Sequence, residues 1–254
     1  MKYRWARLLF FLIVFTLWEL VVRLSIWPPY IFPSLSSVLS SIWYGFIDGS
    51  YPQSILISLR RIAIGYFISL FTGITLGLLT GRIPLIQKTI GSVILGLQAL
   101  PSICWLPLAL LWFGLSETAI IFIVIMGAVL SITIATSDGV RNTPPLYLQA
   151  ARTMGASGLT LYSRVVLPSA LPSIVSGMKL GWSFAWRSLM AGELLYVGLG
   201  LGHLLTMGRE LNDMSQVIAV MMVIIIIGLT VDFLVFGPLE RRIRERWGLH
   251  VGQG

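Results

Sequence analysis

Three long stretches of the chain, residues 62–81, 89–116 and 119–137, contain no charged residue at all. Each has about the length an α-helix needs to cross the hydrocarbon of a bilayer, roughly 20 residues. Composition points the same way. Of 254 residues, 56% are hydrophobic and 11% charged, and mean hydropathy is +0.88. A soluble domain carries about a quarter charged residues, so too few polar groups remain here to face water. The net charge of +8 is therefore read as Lys and Arg gathered beside membrane helices, not as a nucleic-acid surface.

Six spans are expected, at about residues 8–24, 62–81, 89–116, 119–137, 169–195 and 214–237. The first resembles a signal peptide, with Lys2, Arg4 and Arg7 ahead of an apolar run, but Trp18-Glu19-Leu20-Val21-Val22-Arg23 supplies no small-residue cleavage site. It reads as a retained helix. With the N-terminus inside, twelve basic residues flank the inner ends, among them Arg82, Lys88, Arg141, Arg152, Arg164 and the run Arg241, Arg242, Arg244 and Arg246. Four, namely Arg23, Arg60, Arg61 and Arg209, fall outside. The bias places both termini in the cytoplasm.

Residues 28–61 are broken by Pro28, Pro29, Pro33, Gly49 and Pro52 and are not expected to span. Within them, Leu35, Val38, Ile42, Trp43 and Phe46 recur at helical spacing, which predicts an amphipathic helix over 34–46 at the outer interface. The whole chain, 1–254, reads as one all-α membrane domain with its core bundle at about 58–240. Cys104 is the only cysteine and is expected to be a small buried thiol. His203 and His250 are far apart in sequence, so no metal centre is expected. There is no G-x-x-x-x-G-K-[ST] phosphate loop, and Gly198-x-Gly200-x-Gly202 reads as a flexible outer turn.

The loop at 138–168 is the most informative. Thr143-Pro144 is a helix start, a hydroxyl cap followed by proline. Leu146, Tyr147, Ala150, Ala151 and Met154 form an apolar stripe, and Gly155 is placed to stop the helix. A second short amphipathic turn, 159–166, leads to Pro168, which can open the fifth span. On physical grounds alone, such a helix either docks into a groove on a partner or packs on its own bundle.

The run Gln149-Ala150-Ala151-Arg152-Thr153-Met154-Gly155, nine residues, then Val165-Val166-Leu167-Pro168 resembles the signature of binding-protein-dependent ABC importer permeases of the type I fold. That pattern is Glu-Ala-Ala, three residues, Gly, nine residues, Ile-x-Leu-Pro; Gln149 and Val165 depart from it. Phe32-Pro33-Ser34, Leu106-Pro107-Leu108, Trp112-Phe113-Gly114 and Gly198-Leu199-Gly200 are similar to the nitrate/sulfonate/taurine/bicarbonate group. The resemblance implies a permease, not an enzyme, in a bacterial inner membrane. Its partners would be a second permease chain (a homodimer by default), two cytoplasmic ATPase subunits that bind ATP and Mg, and a periplasmic or lipid-anchored substrate-binding protein. It also implies that Gln149, Ala150, Ala151 and Gly155 belong to a coupling helix, with Leu167 and Pro168 at the return to the membrane.

Ionisable residues at membrane depth usually face a bundle interior or an aqueous path. In the fifth span, Lys179, Trp182, Trp186, Met190 and Glu193 fall near one helical stripe, with Arg187 roughly 80° round from Lys179. They are the candidates for a cationic, aromatic-lined translocation path. Equally open, Lys179 snorkels to the interface and Glu193 caps the outer end. Glu19 and Asp232 read as structural. Pro101 and Pro107 either hinge a gate or kink ordinary packing. The competing classes are a stand-alone secondary transporter or channel, which would want charges in several spans or inverted repeats, and an intramembrane enzyme, which would need a nucleophile with a base at depth.

Overall fold

The computed structural model describes residues 2–196 and 198–247; His250 lies outside them. Among the described residues every regular element is helical. In chain order these are α1 (Lys2–Arg23), α2 (Leu35–Ile47), α3 (Ser50–Arg82), α4 (Pro84–Ile86), α5 (Ser92–Gln98), α6 (Leu106–Phe113), α7 (Glu117–Arg141), α8 (Pro145–Thr153), α9 (Gly158–Leu161), α10 (Leu167–Glu193), α11 (Leu201–Glu210), α12 (Met214–Val231) and α13 (Gly237–Arg246). Short π-helical segments join α4 to α5, α9 to α10 and α12 to α13 at Gln87–Gly91, Tyr162–Val166 and Asp232–Phe236.

Among the described residues, four helical stretches are long and apolar enough to cross a membrane: Ser50–Arg82, Glu117–Arg141, Gly158–Glu193 and Met214–Ile243. Pro84–Gln98 and Ser102–Phe113 make a fifth if that pair, bent by 102°, is one span. The bend falls at Pro101, which has no N–H to continue a helix. Pro107, by contrast, sits in the first turn of α6, where proline is tolerated. Cys104 lies in the 3₁₀ turn after the bend and is exposed, not buried as expected.

The segment thought too broken to span contributes the first third of α3. Gly49, at φ +82°, ends the preceding helix. The Asp48 carboxylate then accepts the Ser50 N–H at 2.8 Å, a bond that holds this carboxyl below its ordinary pKa. Pro52 lies within the first turn of the new helix. Arg60 and Arg61 are consequently helix residues and not part of an outer connection.

The described residues gather in two compact units. The first comprises Met1–Ser58 and Glu193–Ile226. Here Ser34 caps α2 as its Oγ accepts the Ser37 N–H. The Trp18 indole donates to the Pro33 carbonyl at 3.0 Å, and Asp213 caps α12 by accepting the Gln216 N–H at 3.1 Å.

The second unit, Leu59–Gly192 with Ile227–Gly254, is built around α7. Lipid gives apolar helices no hydrophobic reason to associate, so close packing of small residues has to hold them together. Along α3, Gly65, Ser69, Gly73, Gly77 and Gly81 recur every fourth residue. A Cβ built on Gly65 would sit 2.7 Å from Val124, one on Gly73 2.9 Å from Ile132, one on Gly77 against Thr136, and one on Gly81 2.7 Å from Val140. From α10, Gly177 meets Ala135 and Gly181 meets Ile132, while Gly127 and Gly139 of α7 receive Ser188 and Ser173.

Gly77→Ala should therefore lower the thermal unfolding midpoint in detergent, at a cost of about 1–3 kcal/mol from overpacking. Gly96→Ala, where a Cβ meets nothing within 4 Å, should be neutral or stabilise by up to about 1 kcal/mol. Equal effects at the two sites would contradict the packing described.

Candidate functional site

Helix α8 starts one residue later than the sequence predicts. Pro144 occupies the N-cap and Pro145 the first turn. The Thr143 hydroxyl caps nothing: it is buried and without a hydrogen-bond partner. The other end is as expected. Gly155 has φ +84°, its N–H donates to the Arg152 carbonyl at 2.9 Å, and the Ala156 N–H donates to the Ala151 carbonyl at 2.9 Å. These two bonds form a Schellman motif, which needs a left-handed residue and so selects glycine.

The expected apolar stripe divides. Ala151 turns inward and is buried, and Leu148, which the stripe omitted, packs on the cluster of Val140, Val166, Ala170 and Ile174. Leu146, Tyr147, Ala150 and Met154 face out, with Met154 83% and Leu146 69% exposed. Gln149 is also exposed. At the foot of the loop, Leu167 packs against the same cluster and Pro168 lies in the first turn of α10. The Tyr162 hydroxyl donates to the Leu78 carbonyl at 3.1 Å, and the Arg82 guanidinium covers its ring at 5.0 Å. An apolar outer face is thus held on a rigid base.

Along α10, the residues thought to line a path part company. Trp182 stacks on Trp186 at 6.2 Å, meets Tyr66 edge-on at 5.2 Å and Phe236 at 6.3 Å. The Tyr66 hydroxyl donates to the Met178 carbonyl at 2.7 Å. Trp186 also lies 3.5 Å from a Cβ position on Gly228 of α12. Lys179 bonds Asp232 at 3.1 Å and Glu240 at 3.8 Å. The stripe of Lys179, Trp182 and Trp186 therefore faces the last helices of its own unit. Met190 is half-buried. Arg187 is turned away from them and exposed, its guanidinium 5.6 Å from the Phe184 ring.

Glu193 belongs to the first unit and is fully buried. Its carboxylate accepts the Ser58 hydroxyl at 2.8 Å and the Gly202 N–H at 3.0 Å, and Ser58 Oγ in turn accepts the Leu201 N–H at 2.9 Å. It satisfies the start of α11, where the helix dipole favours a negative charge. Gly202 is accordingly a helix residue pressed on Glu193 (a Cβ there would lie 2.5 Å from the Glu193 Cβ) and not part of a flexible turn.

Residues 73–245 match the family described as binding-protein-dependent transport system inner membrane component. The chain belongs to this family. It is similar to a protein of Methanocaldococcus jannaschii provisionally named an ABC transporter permease, 35% identical over 221 residues, 85% of this chain and 82% of that one. The taurine transport system permease protein TauC of Escherichia coli is 29% identical, covering 91% and 86%; the nitrate import permease protein NrtB of Leptolyngbya laminosa is 33% identical, covering 78% and 74%. A solved amino acid ABC transporter shares the fold, with a TM-score of 0.67 at 18% identity over 80% of this chain and 97% of that chain.

The protein is therefore a multi-pass permease of an ABC importer, and α8 lies wholly within the matched region. Several polar partnerships of the permease escaped sequence reasoning. Arg61, only 2% exposed, and Arg60 both bond Glu117, at 2.9 and 2.7 Å; Lys179 finds Asp232 some fifty positions along the chain. Opposite charges at membrane depth were the available signal, but sequence spacing does not say which will meet.

Glu193→Ala should destabilise the permease by about 1–3 kcal/mol, the cost of leaving buried donors without an acceptor, and so lower its unfolding midpoint. Were Glu193 only a path-lining group, solute uptake would change while the midpoint stayed at the wild-type value.

Proposed function

We propose that this chain forms the translocation path for a small anionic solute and takes its driving force from a separate ATPase through α8. The observation that carries the reading is the outward apolar face of Leu146, Tyr147, Ala150 and Met154 on a helix whose inner side, Leu148 and Ala151, is fixed to the bundle. An apolar helix face of this kind suits a hydrophobic groove on a partner. Gln149 stands beside it as a hydrogen-bonding group, Gly155 sets the exit angle, and Leu167 and Pro168 return the chain to α10.

In this reading α8 lies on the cytoplasmic side with both termini. Two copies of the chain pair, two ATPase subunits bind ATP and Mg beneath them, and a substrate-binding protein delivers solute from outside. ATP-driven closure of the ATPase pair displaces α8 and rotates the bundles between inward-open and outward-open states, each favoured by different contacts. The relatives named for taurine and nitrate support a small oxyanion-bearing solute. Exposed Arg187 is the cation placed to meet it, while Trp182 and Trp186 brace the helix that carries it.

Two substitutions at one position test the coupling role. Gly155→Val cannot adopt φ +84° without strain of about 1–3 kcal/mol and should reduce ATP-driven uptake in vesicles at least about tenfold, with the permease still inserted. Gly155→Asn, which tolerates the left-handed region, should keep most of the uptake. In parallel, Met154→Asp should weaken co-purification of the ATPase. Wild-type uptake with Gly155→Val, or undiminished ATPase capture with Met154→Asp, would overturn the assignment of α8.

A further inference from the structure

The end of α3, the π-helical segment Gln87–Gly91 with α5, and the last turns of α7 enclose a cavity of about 200 Å³ in the second unit. Its walls are graded along the helix axes. Lys88 stands near the start of one candidate span and Arg141 is the last residue of another. Seven residues further into each run are Leu95 and Ile134, which line the same cavity. At the rise of an α-helix, seven residues are about 10 Å. Cations therefore mark the level of the helix ends, and apolar side chains the deeper level. Asp138, one turn from Arg141, shares the outer, cationic level.

Neither Lys88 nor Arg141 forms an ion pair among the described residues. Arg141 is held instead by Gln87, whose amide oxygen accepts from both terminal guanidinium nitrogens at 2.6 and 3.2 Å. A neutral acceptor fixes the guanidinium and leaves its charge in place. Lys88, Asp138 and Arg141 are all exposed at the mouth, and two cations with one carboxylate leave a single positive charge. That balance suits a phosphodiester, with one negative charge, better than a phosphate monoester, with about −1.5 to −2 at pH 7. In the cavity wall, Ser137 is only 8% exposed and makes no hydrogen bond among the described residues. Its hydroxyl is free to donate to a phosphoryl oxygen.

A soluble anion would meet the cations and have no use for the apolar level beneath them. A lipid uses both. Its charged head belongs at the helix ends, where the bilayer meets water, and its chains belong at the depth of Leu95, which is 61% exposed on a helix expected in hydrocarbon. Basic pockets between transmembrane helices on the cytoplasmic side are suited to phospholipid heads for this reason. The volume is below the roughly 300–1,000 Å³ of pockets that enclose a drug-sized ligand, so it takes a head group while the chains stay in the bilayer.

We propose that this cavity seats the head of an anionic phospholipid, its phosphodiester on Lys88 and Arg141 and the upper part of its chains on Leu95 and Ile134. The assignment to the inner leaflet rests on the reading of α8 as cytoplasmic; the binding itself does not.

The test is native mass spectrometry of the full chain, stripped of lipid in detergent and titrated with three probes. These are phosphatidylglycerol, phosphatidylcholine with the same chains, and glycerophosphoglycerol, the head of the first without chains. Phosphatidylglycerol should bind at least about tenfold more tightly than either of the others, the worth of two cations near a membrane surface. Lys88→Gln and Arg141→Gln should each remove about fivefold of that preference. Arg241→Gln, which alters a cation of α13 outside the cavity, should leave it unchanged. Equal binding of the two lipids overturns the proposal. So does a preference that Arg241→Gln lowers as much as Lys88→Gln does, because general attraction to a basic face would then account for it. Glycerophosphoglycerol binding as tightly as the lipid also overturns it, and leaves a site for soluble phosphodiesters. The titration needs no nucleotide and no ATPase, so its failure removes this cavity alone, whereas loss of ATP-driven uptake is what would remove the transport reading.

Discussion

Close approach of helices to α7 is the constraint on which the second unit depends. In lipid an exposed leucine is already solvated, so burying it against another helix gains little, and dispersion contacts between well-fitted surfaces have to supply the attraction. Gly65, Ser69, Gly73, Gly77 and Gly81 give α3 a groove four turns long, into which Val124, Ile132, Thr136 and Val140 of α7 fit. Gly177 and Gly181 do the same for α10. With α7 gripped on two sides, its C-terminal turns become a fixed platform. Leu148 of α8 is set on that platform through the cluster of Val140, and Ala151 is buried beside it in the chain, while the rest of α8 presents an apolar face outward.

Polar groups in this setting obey a second rule, that each must find a partner within the protein. Glu117 meets two arginines, Lys179 meets Asp232, and the Glu193 carboxylate serves the first turn of α11. These pairings use up most of the charge that might otherwise have marked a pathway. The Arg187 guanidinium lies beside the Phe184 ring and forms no ion pair among the described residues. Function in a membrane chain is sought among charges that the fold has not already neutralised.

The sequence by itself determined that the chain is helical and membrane-embedded, because uncharged runs of some twenty residues have no other stable solvent. It also determined the α8 signature and the stop at Gly155, since a left-handed residue after a short amphipathic helix is a local demand that one residue type meets. The small residues four apart on α3 went unread in the sequence, because spacing alone names no partner helix. Tertiary structure decided the rest. That Pro52 begins a helix and Pro101 bends one, that Leu148 and not Met154 faces inward, and that Glu193 is a buried cap depend on which surfaces meet, in the case of Ser58 and Glu193 across 135 positions. Hydrophobic period and residue type are properties of a segment, whereas the pairing of a charge or the direction of a face is a property of its neighbours, and only the folded chain supplies those.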